Sequence, residues 1–189
     1  MRKVKLKDIA EIFLGLSYRR YLDNDGDDFK VIVQRSIKKD GNYGDFENAR
    51  LKNNIKERYF SRKNDVLMKM PYPNEVVCIK EDGLVVSEKI AIIRLNEGYD
   101  PDFIAHMLSN VHVARQLYQI TASEKIHHIS LNQIKQLELI VCDLELQKKY
   151  GDLLNKFNKK IKEDLKQVEN DRNFKQAIIN NLWEHHEIK

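Results

Sequence analysis

The sequence predicts a mixed α/β (α+β) chain: a globular part with a mostly β core and short helices, then one long C-terminal helix of coiled-coil character. Three observations predict it. Between residues 67 and 95, short Val- and Ile-rich runs are separated by Pro- and Gly-bearing turns, the pattern of strands covered on both faces. Beyond Leu144 there is no Pro and a single Gly, Gly151, while apolar residues recur at helical spacing. The 189 residues are 42% apolar and 33% charged, with 7 Gly and 3 Pro, which excludes collagen-like, low-complexity and fully disordered chains. A chain of roughly 150 residues buries about 70% of its unfolded surface, so one compact domain with an appendage is feasible.

Residues 4–12 begin with strand alternation and turn once as a helix from Asp8, read as its N-cap, until Gly15 breaks it. A loop follows to Tyr21. Residues 29–33 form a strand of high β-propensity, and residues 40–47, with two glycines, a loop. Residues 65–70 are a strand running into the turn of Pro71 and Pro73. Residues 75–79 return, 81–83 turn tightly, and 84–86 and 90–95 continue the sheet. Asp100 caps a helix starting at Pro101, with Asp102 in its first turn and Phe103, Ile104, Met107, Leu108 and Val111 on one face. After a loop at 121–125, Ser130 caps a short helix through Leu131, Ile134 and Leu137, and residues 139–141 are a last strand.

The long helix carries Leu146, Tyr150, Leu154, Phe157, Ile161, Leu165 and Val168 as a stripe, interrupted at 169–173 and resumed by Phe174, Ile178 and Leu182. Tyr150 to Ile161 and Phe157 to Val168 are eleven-residue spans, which predicts a weak or slightly right-handed supercoil. About 40 helical residues reach roughly 60 Å, too far to fold back on a domain of this size, so the stripe calls for a partner helix. The expected division is 1–143 for the globular domain and 144–189 for the helix.

Several function classes are excluded. No apolar run approaches the roughly 20 residues that cross a bilayer, and the basic start is followed by Asp8 and Glu11 rather than a signal-peptide core. Cys78 and Cys142 stand among apolar neighbours without a C-x-x-C pair, so both are expected as reduced core residues in a cytoplasmic protein. There is no nucleophile elbow, zincin motif, phosphate loop or dinucleotide fingerprint. The acidic run at 23–28 lacks calcium-loop spacing, since its Gly26 is the fourth residue and Gln34 stands at the twelfth position. The pairs His127–His128 and His185–His186 are adjacent, so their side chains diverge and do not chelate. No cofactor and no metal are expected. Asp28-Phe29-Lys30 has the D-x-K form of a metal-dependent nuclease, but the second carboxylate such a site needs is offered only by the distant Asp8.

Charge is distributed unevenly. The formal net charge is +4, yet residues 23–28 hold four acids and no base, whereas residues 35–63 hold nine Lys/Arg against four Asp/Glu. Amides and tyrosines are interleaved with those bases. The mixture suits phosphate contact plus base reading, and also an ordinary solvated face.

Four stretches, in order, resemble the specificity (S) subunit of type I restriction-modification systems. VKLKDIAEIFLG at 4–15 resembles the family's opening strand and glycine loop, and NDVLM at 64–68 its "GDIL" strand. AIIR at 91–94 with DPDFIAHMLS at 100–109 resembles its "IR…P.YL…L.S" segment. ISLNQIKQL at 129–137 with LELQ at 144–147 resembles its "IS…L…PLPEQ" approach to the helix. Asn64 replaces the usual Gly, residues 141–143 lack the usual prolines, residues 122–124 lack the usual Gly, and the chain carries one recognition domain and one helix where a full subunit carries two of each.

The resemblance implies a subunit that does no chemistry itself. It would read a half-site of double-stranded DNA from the major groove and recruit the methyltransferase (M) subunit and, in the full complex, the restriction (R) subunit. A single-domain chain would pair through its helix as an antiparallel homodimer on an interrupted palindrome. The expected DNA-contacting residues are Tyr18, Arg19 and Arg20 after the first glycine; Lys69, Tyr72 and Asn74 at the proline turn; Ser123, Lys125 and His127 before the Ser130 helix; and Arg35, Lys38, Lys39, Arg50 and Lys52 as backbone contacts. The expected dimer seam is Tyr150, Leu154, Phe157, Ile161, Leu165 and Val168, with Trp183 near a possible M-subunit contact. Two other readings stay open: a partner-exchange chain that pairs with a longer specificity subunit and alters its target, and a small nuclease built on Asp28 and Lys30.

Overall fold

The computed structural model of the chain describes residues 1–70, 75–121 and 129–186. It falls into two compact units, Met1–Leu154 and Asn155–Lys189. The architecture is the mixed α/β fold expected, with a β core and a long C-terminal helix.

The first unit opens with strand β1 (Arg2–Lys5), which pairs antiparallel with the last strand, β9 (Glu138–Val141), with Lys3 facing Ile140. A single helical turn, α1 (Leu6–Ile9), follows. Its N-cap is Lys5, with no side-chain bond, and Asp8 lies inside the turn rather than capping it. The turn sits where it does because Leu6 and Ile9, three residues apart, are both fully buried. The chain then re-extends as β2 (Ala10–Leu14), a strand where the sequence predicts a helical turn from Asp8 ended by Gly15.

β2 is the edge of a four-stranded antiparallel sheet in the order β2-β8-β5-β6, where β5 is Val66–Lys69, β6 is Val76–Cys78 and β8 is Ile90–Leu95. Residues alternate between two cores, as the period of two demands. Ile12, Val66, Met68, Val76, Cys78, Ala91 and Ile93 face one cluster with the helices. Phe13, Leu67, Val77, Ile90 and Ile92 face a second cluster with Ile32, Ile37 and Val86. Coverage on both faces explains why these strands read as unbroken apolar runs. Each fully buried Ile, Val or Leu contributes about 1.5–3 kcal/mol against exposure.

A three-stranded sheet in the order β4-β3-β7 covers the second core. β3 runs Leu22–Ile32, β4 Glu47–Leu51 and β7 Val85–Val86. β3 begins well before the expected start at Phe29 and takes in the acidic run. Its register slips there, both Leu22 and Asp27 facing Leu51. Gly26 sits at the slip, where an added Cβ would lie 2.3 Å from the Leu51 carbonyl oxygen.

Helix α2 (Pro101–Leu108) is capped as expected: the Asp100 side chain accepts from the Phe103 N–H at 2.8 Å. It ends at Leu108, and Asn110 caps a new helix, α3 (Val111–Thr121), by accepting from His112 N–H and Val113 N–H. Val111 therefore starts α3 and is exposed instead of sharing the α2 face; Val113 and Leu117 enter the core in its place. Ser130 and Gln133 form a reciprocal capping box on α4 (Leu131–Lys135). Cys78 is buried in the core and Cys142, half-buried, packs against the same cluster, both as free thiols, as expected. Burial pushes the Cys78 thiol up to about 12, with Asp102 adding to the rise.

Helix α5 (Leu144–His186) begins under an Asp143 cap that accepts from the Leu146 N–H. The buried Gln147 amide donates to the Cys142 carbonyl and accepts from the Asp100 N–H. Gly151 meets α2 so closely that a Cβ would lie 2.7 Å from an Asp100 carboxylate oxygen. In the second unit α5 continues with Phe157, Ile161, Leu165, Val168, Phe174, Ile178, Leu182 and Trp183 all exposed. Among the described residues, no helix is long and apolar enough to cross a membrane.

Candidate nucleic-acid interface

Gly15 positions the site. Its N–H donates to the Ile90 carbonyl, Leu16 N–H donates to the Val86 carbonyl, and an added Cβ on Gly15 would lie 2.3 Å from the carbonyl oxygens of both Val86 and Ser87. Only glycine allows this approach. It presses the loop after β2 against the end of β7, and Arg19 on that loop feels the charge of Glu88. Parallel pairing of β3 with β7, with Ile32 facing Val86, brings the turn at Gln34 to the same end. The start of β4, at Glu47, completes the cluster.

Glu47 is its hub. The Tyr18 hydroxyl donates to Glu47 Oε1 at 2.6 Å, and the Arg35 guanidinium reaches Oε2 at 3.3 Å. Tyr18 first, then the charges of Glu47 and Glu88, raise the affinity of the Arg19 guanidinium for its proton. Burial first, then the Glu47 carboxylate, push the Tyr18 phenol up. Tyr18 is 4% exposed. Its ring belongs to the core with Val31, Leu51 and Val85, so it positions the cluster and is not open to a phosphate.

The remaining expected residues take varied places. Arg20, Lys39 and Lys52 are exposed. Lys38 is paired with Asp45, whose carboxyl it holds below the usual range. Arg50 lies on the outer face of the β3–β4 ribbon, bonded to Asp28 and to the Asn24 carbonyl. Lys30 and Asn48 face each other on the same outer face. A two-stranded ribbon of this kind fits a major groove. Lys69 differs: it is largely buried against Glu75, which removes it from the surface. Tyr72, Asn74, Ser123, Lys125 and His127 lie outside the described residues.

Sequence reasoning missed three residues of the site. Glu47 looked like one acid in a basic stretch. Gln34 and Glu88 carried no motif at all, yet Gln34 Nε2 and Glu88 Oε2 are shielded from solvent and make no hydrogen bond among the described residues. Arg58 was also passed over. Its guanidinium stacks over the Phe13 ring at 4.4 Å and Arg94 lies over the same ring at 5.1 Å. The nuclease reading gains nothing from the geometry. Asp28 is engaged by Arg50, and among the described residues no three His, Cys, Asp or Glu side chains gather as metal ligands. A separate open cleft of about 470 Å³ is lined by Arg2, Lys3, Lys5, Asp8, Tyr99 and Glu138. There Arg2 donates to the Tyr99 hydroxyl and Lys3 pairs with Glu138.

A family model described as the type I restriction modification DNA specificity domain matches residues 1–170. That span includes all four stretches that carried the resemblance. Among solved structures, the HsdS subunit from Thermoanaerobacter tengcongensis superposes with a TM-score of 0.69 at 17% identity, over 86% of this chain and 43% of that one. A chain of a type I R-M system, from a structure on its complex assembly and conformational transition, gives 0.60 at 14%, over 85% and 38%. The type I S subunit from M. genitalium gives 0.57 at 15%, over 91% and 43%. This chain thus spans less than half the length of each. These likenesses agree in fold. No sequence among the curated proteins matches the chain.

Proposed function

The chain belongs to the family of type I restriction-modification DNA specificity domains, and from that premise we propose that it reads a short half-site of double-stranded DNA and recruits M and R subunits while performing no chemistry itself. The observation that carries the reading is the convergence of Arg19, Arg35, Gln34, Glu47 and Glu88, from four separate segments, at one end of the β3–β7 pair. Cations there can hold phosphates, and amide, carboxylate and guanidinium groups can address base edges. Arg20, Lys39, Arg50 and Lys52 add exposed positive charge for backbone contact. Tyr72, Asn74, Ser123, Lys125 and His127 remain proposed contacts on sequence grounds.

The exposed stripe on α5 supports self-pairing through the expected seam of Tyr150, Leu154, Phe157, Ile161, Leu165 and Val168. A two-fold pair would read an interrupted palindrome. This work would take place in the cytoplasm, where host and invading DNA meet the complex.

A methylome tests the proposal. The chain is expressed with its neighbouring methyltransferase subunit in an unmethylated host and the modified bases are sequenced. A palindromic interrupted motif that depends on this chain is the expected result. An asymmetric motif would retain DNA reading and replace the homodimer by pairing with a different specificity chain. Absence of any motif, with the methyltransferase folded and bound, would refute the reading.

A further inference from the structure

We propose that Arg58 is a phosphate clamp on the DNA backbone, a sequence-independent contact that rests on the DNA-reading function above and adds a residue to it. Arg58 is exposed, while the Phe13 ring it covers is 5% exposed. Its guanidinium carbon lies 4.4 Å from the centroid of Phe13 and 5.7 Å from that of Tyr59. Arg94 lies over the same Phe13 ring at 5.1 Å. Two like charges on one ring repel each other unless anions answer both. Arg94 has its anion, the Asp65 carboxylate at 3.0 Å. Arg58 has no carboxylate partner among the described residues, and the acid beside it in the chain, Glu57, pairs with Arg62 at 3.4 Å. One cation is therefore held in place, open to solvent and uncompensated.

Two β-bridges bring it to the site. Phe60 follows the 3-10 turn Glu57–Tyr59 and bridges to Val85; Leu16 precedes the 3-10 turn Tyr18–Tyr21 and bridges to Ser87. Val85 and Ser87 stand two residues apart on one extended run, roughly 7 Å along the strand. Tyr18, Tyr21, Tyr59 and Phe60 join one apolar cluster with Val85. The exposed Arg19 and Arg20 thus share with Arg58 a pair of turns hung from the same strand. The connection that carries Arg58, residues 52–63, holds five bases against one acid. A guanidinium lying on a ring keeps its N–H edge free, and two parallel N–H groups match two phosphate oxygens. Stacking fixes part of its conformation in advance, so less freedom is lost on binding. The uncompensated charge calls for a formal anion, which favours a phosphate over the neutral edge of a base. Such a contact positions the duplex without reading it.

The test is titration of the full chain with a short random-sequence duplex over a salt series, for wild type, Arg58→Gln, Arg58→Lys and Arg172→Gln. Loss of one phosphate contact lowers the slope of log affinity against log salt by about 0.9. The advantage of wild type over Arg58→Gln is expected to shrink about 3- to 4-fold between roughly 50 and 200 mM salt. Arg58→Lys keeps the charge and restores the slope. Arg172→Gln removes an exposed charge from the second unit and leaves the slope as in wild type. Base preference, read by sequencing duplexes selected from a random pool, is the same for wild type and Arg58→Gln. An unchanged slope in Arg58→Gln overturns the proposal; with a lowered melting temperature, it would make Arg58 only a cover for Phe13. An equal fall in Arg172→Gln also overturns it, because net charge alone would then account for the effect. So does a preference altered at one base position, which would make Arg58 a base reader. A wild-type chain that binds no duplex overturns DNA reading itself, and that outcome is separable because it requires no variant.

Discussion

Asp65 is 3% exposed, and its charge is held by few partners. Burial pushes its carboxyl up, while Arg94 and the Arg62 N–H pull it down. Arg94 meets it through Nε at 3.0 Å and Nη2 at 3.2 Å, and also donates to the Phe60 carbonyl. Replacing Asp65 with Asn would leave the Arg94 guanidinium, itself mostly buried, without a counter-charge. The expected cost is about 3–5 kcal/mol, because a broken buried pair retains the desolvation of the surviving ion. Urea unfolding followed by circular dichroism checks it, and a change below about 1 kcal/mol would show the pair to be dispensable. The neighbouring Asn64 has φ +75°, a left-handed backbone that asparagine tolerates better than most residues. The sequence reading noted Asn64 only as a departure from the family pattern and drew no backbone conformation from it. The pairing of Asp65 with Arg94 was not legible either, since nothing local links positions so far apart. Arg19 and Arg35 were legible as charge, whereas Gln34 and Glu88 carried no local signal.

Elements were legible where their signal is local. The Asp100 and Ser130 caps and the apolar strands of the central sheet follow from side-chain chemistry and from burial on two faces. β2 and β4 were missed because each carries polar residues and becomes a strand through its partner, β8 for one and β3 for the other. α3 was missed because Asn110 stops one helix and caps the next within the space of a turn. β2 also feeds the loop that builds the site, and its exit depends on Gly15. Gly15→Ala would put a methyl into backbone oxygens of Val86 and Ser87, which cannot rotate away as a side chain would. The expected loss is about 1–3 kcal/mol, as for overpacked cores. DNA affinity should fall with it, because Tyr18 and Arg19 follow directly on the displaced loop. Thermal unfolding together with a binding titration checks both. An unchanged melting temperature would mean that the loop has room that the structure denies it.

At the scale of the whole molecule, the first unit has a place for each of its large apolar clusters, and the second does not. Its apolar residues from Phe157 to Trp183 are exposed on a single helix. Isolated helices gain most of their stability from packing an apolar face, so a stripe this long is expected to meet a partner in solution. Burial of each such side chain contributes about 1.5–3 kcal/mol before the cost of association, and six seam residues are enough to hold a pair at micromolar concentration. The polar break at residues 169–173 and the eleven-residue spans before it suit a weakly supercoiled pair better than a continuous heptad zipper. Sedimentation equilibrium of the wild-type chain at about 10 μM is expected to give a dimer. Ile161→Asp with Leu165→Asp is expected to give a monomer whose first unit still melts cooperatively, because both positions lie outside that unit. The palindromic motif in the methylome should disappear with the dimer, while duplex binding by a single recognition domain persists at reduced affinity. A wild-type monomer at that concentration would refute the seam, and the exposed stripe would then have to belong to an interface with a different chain.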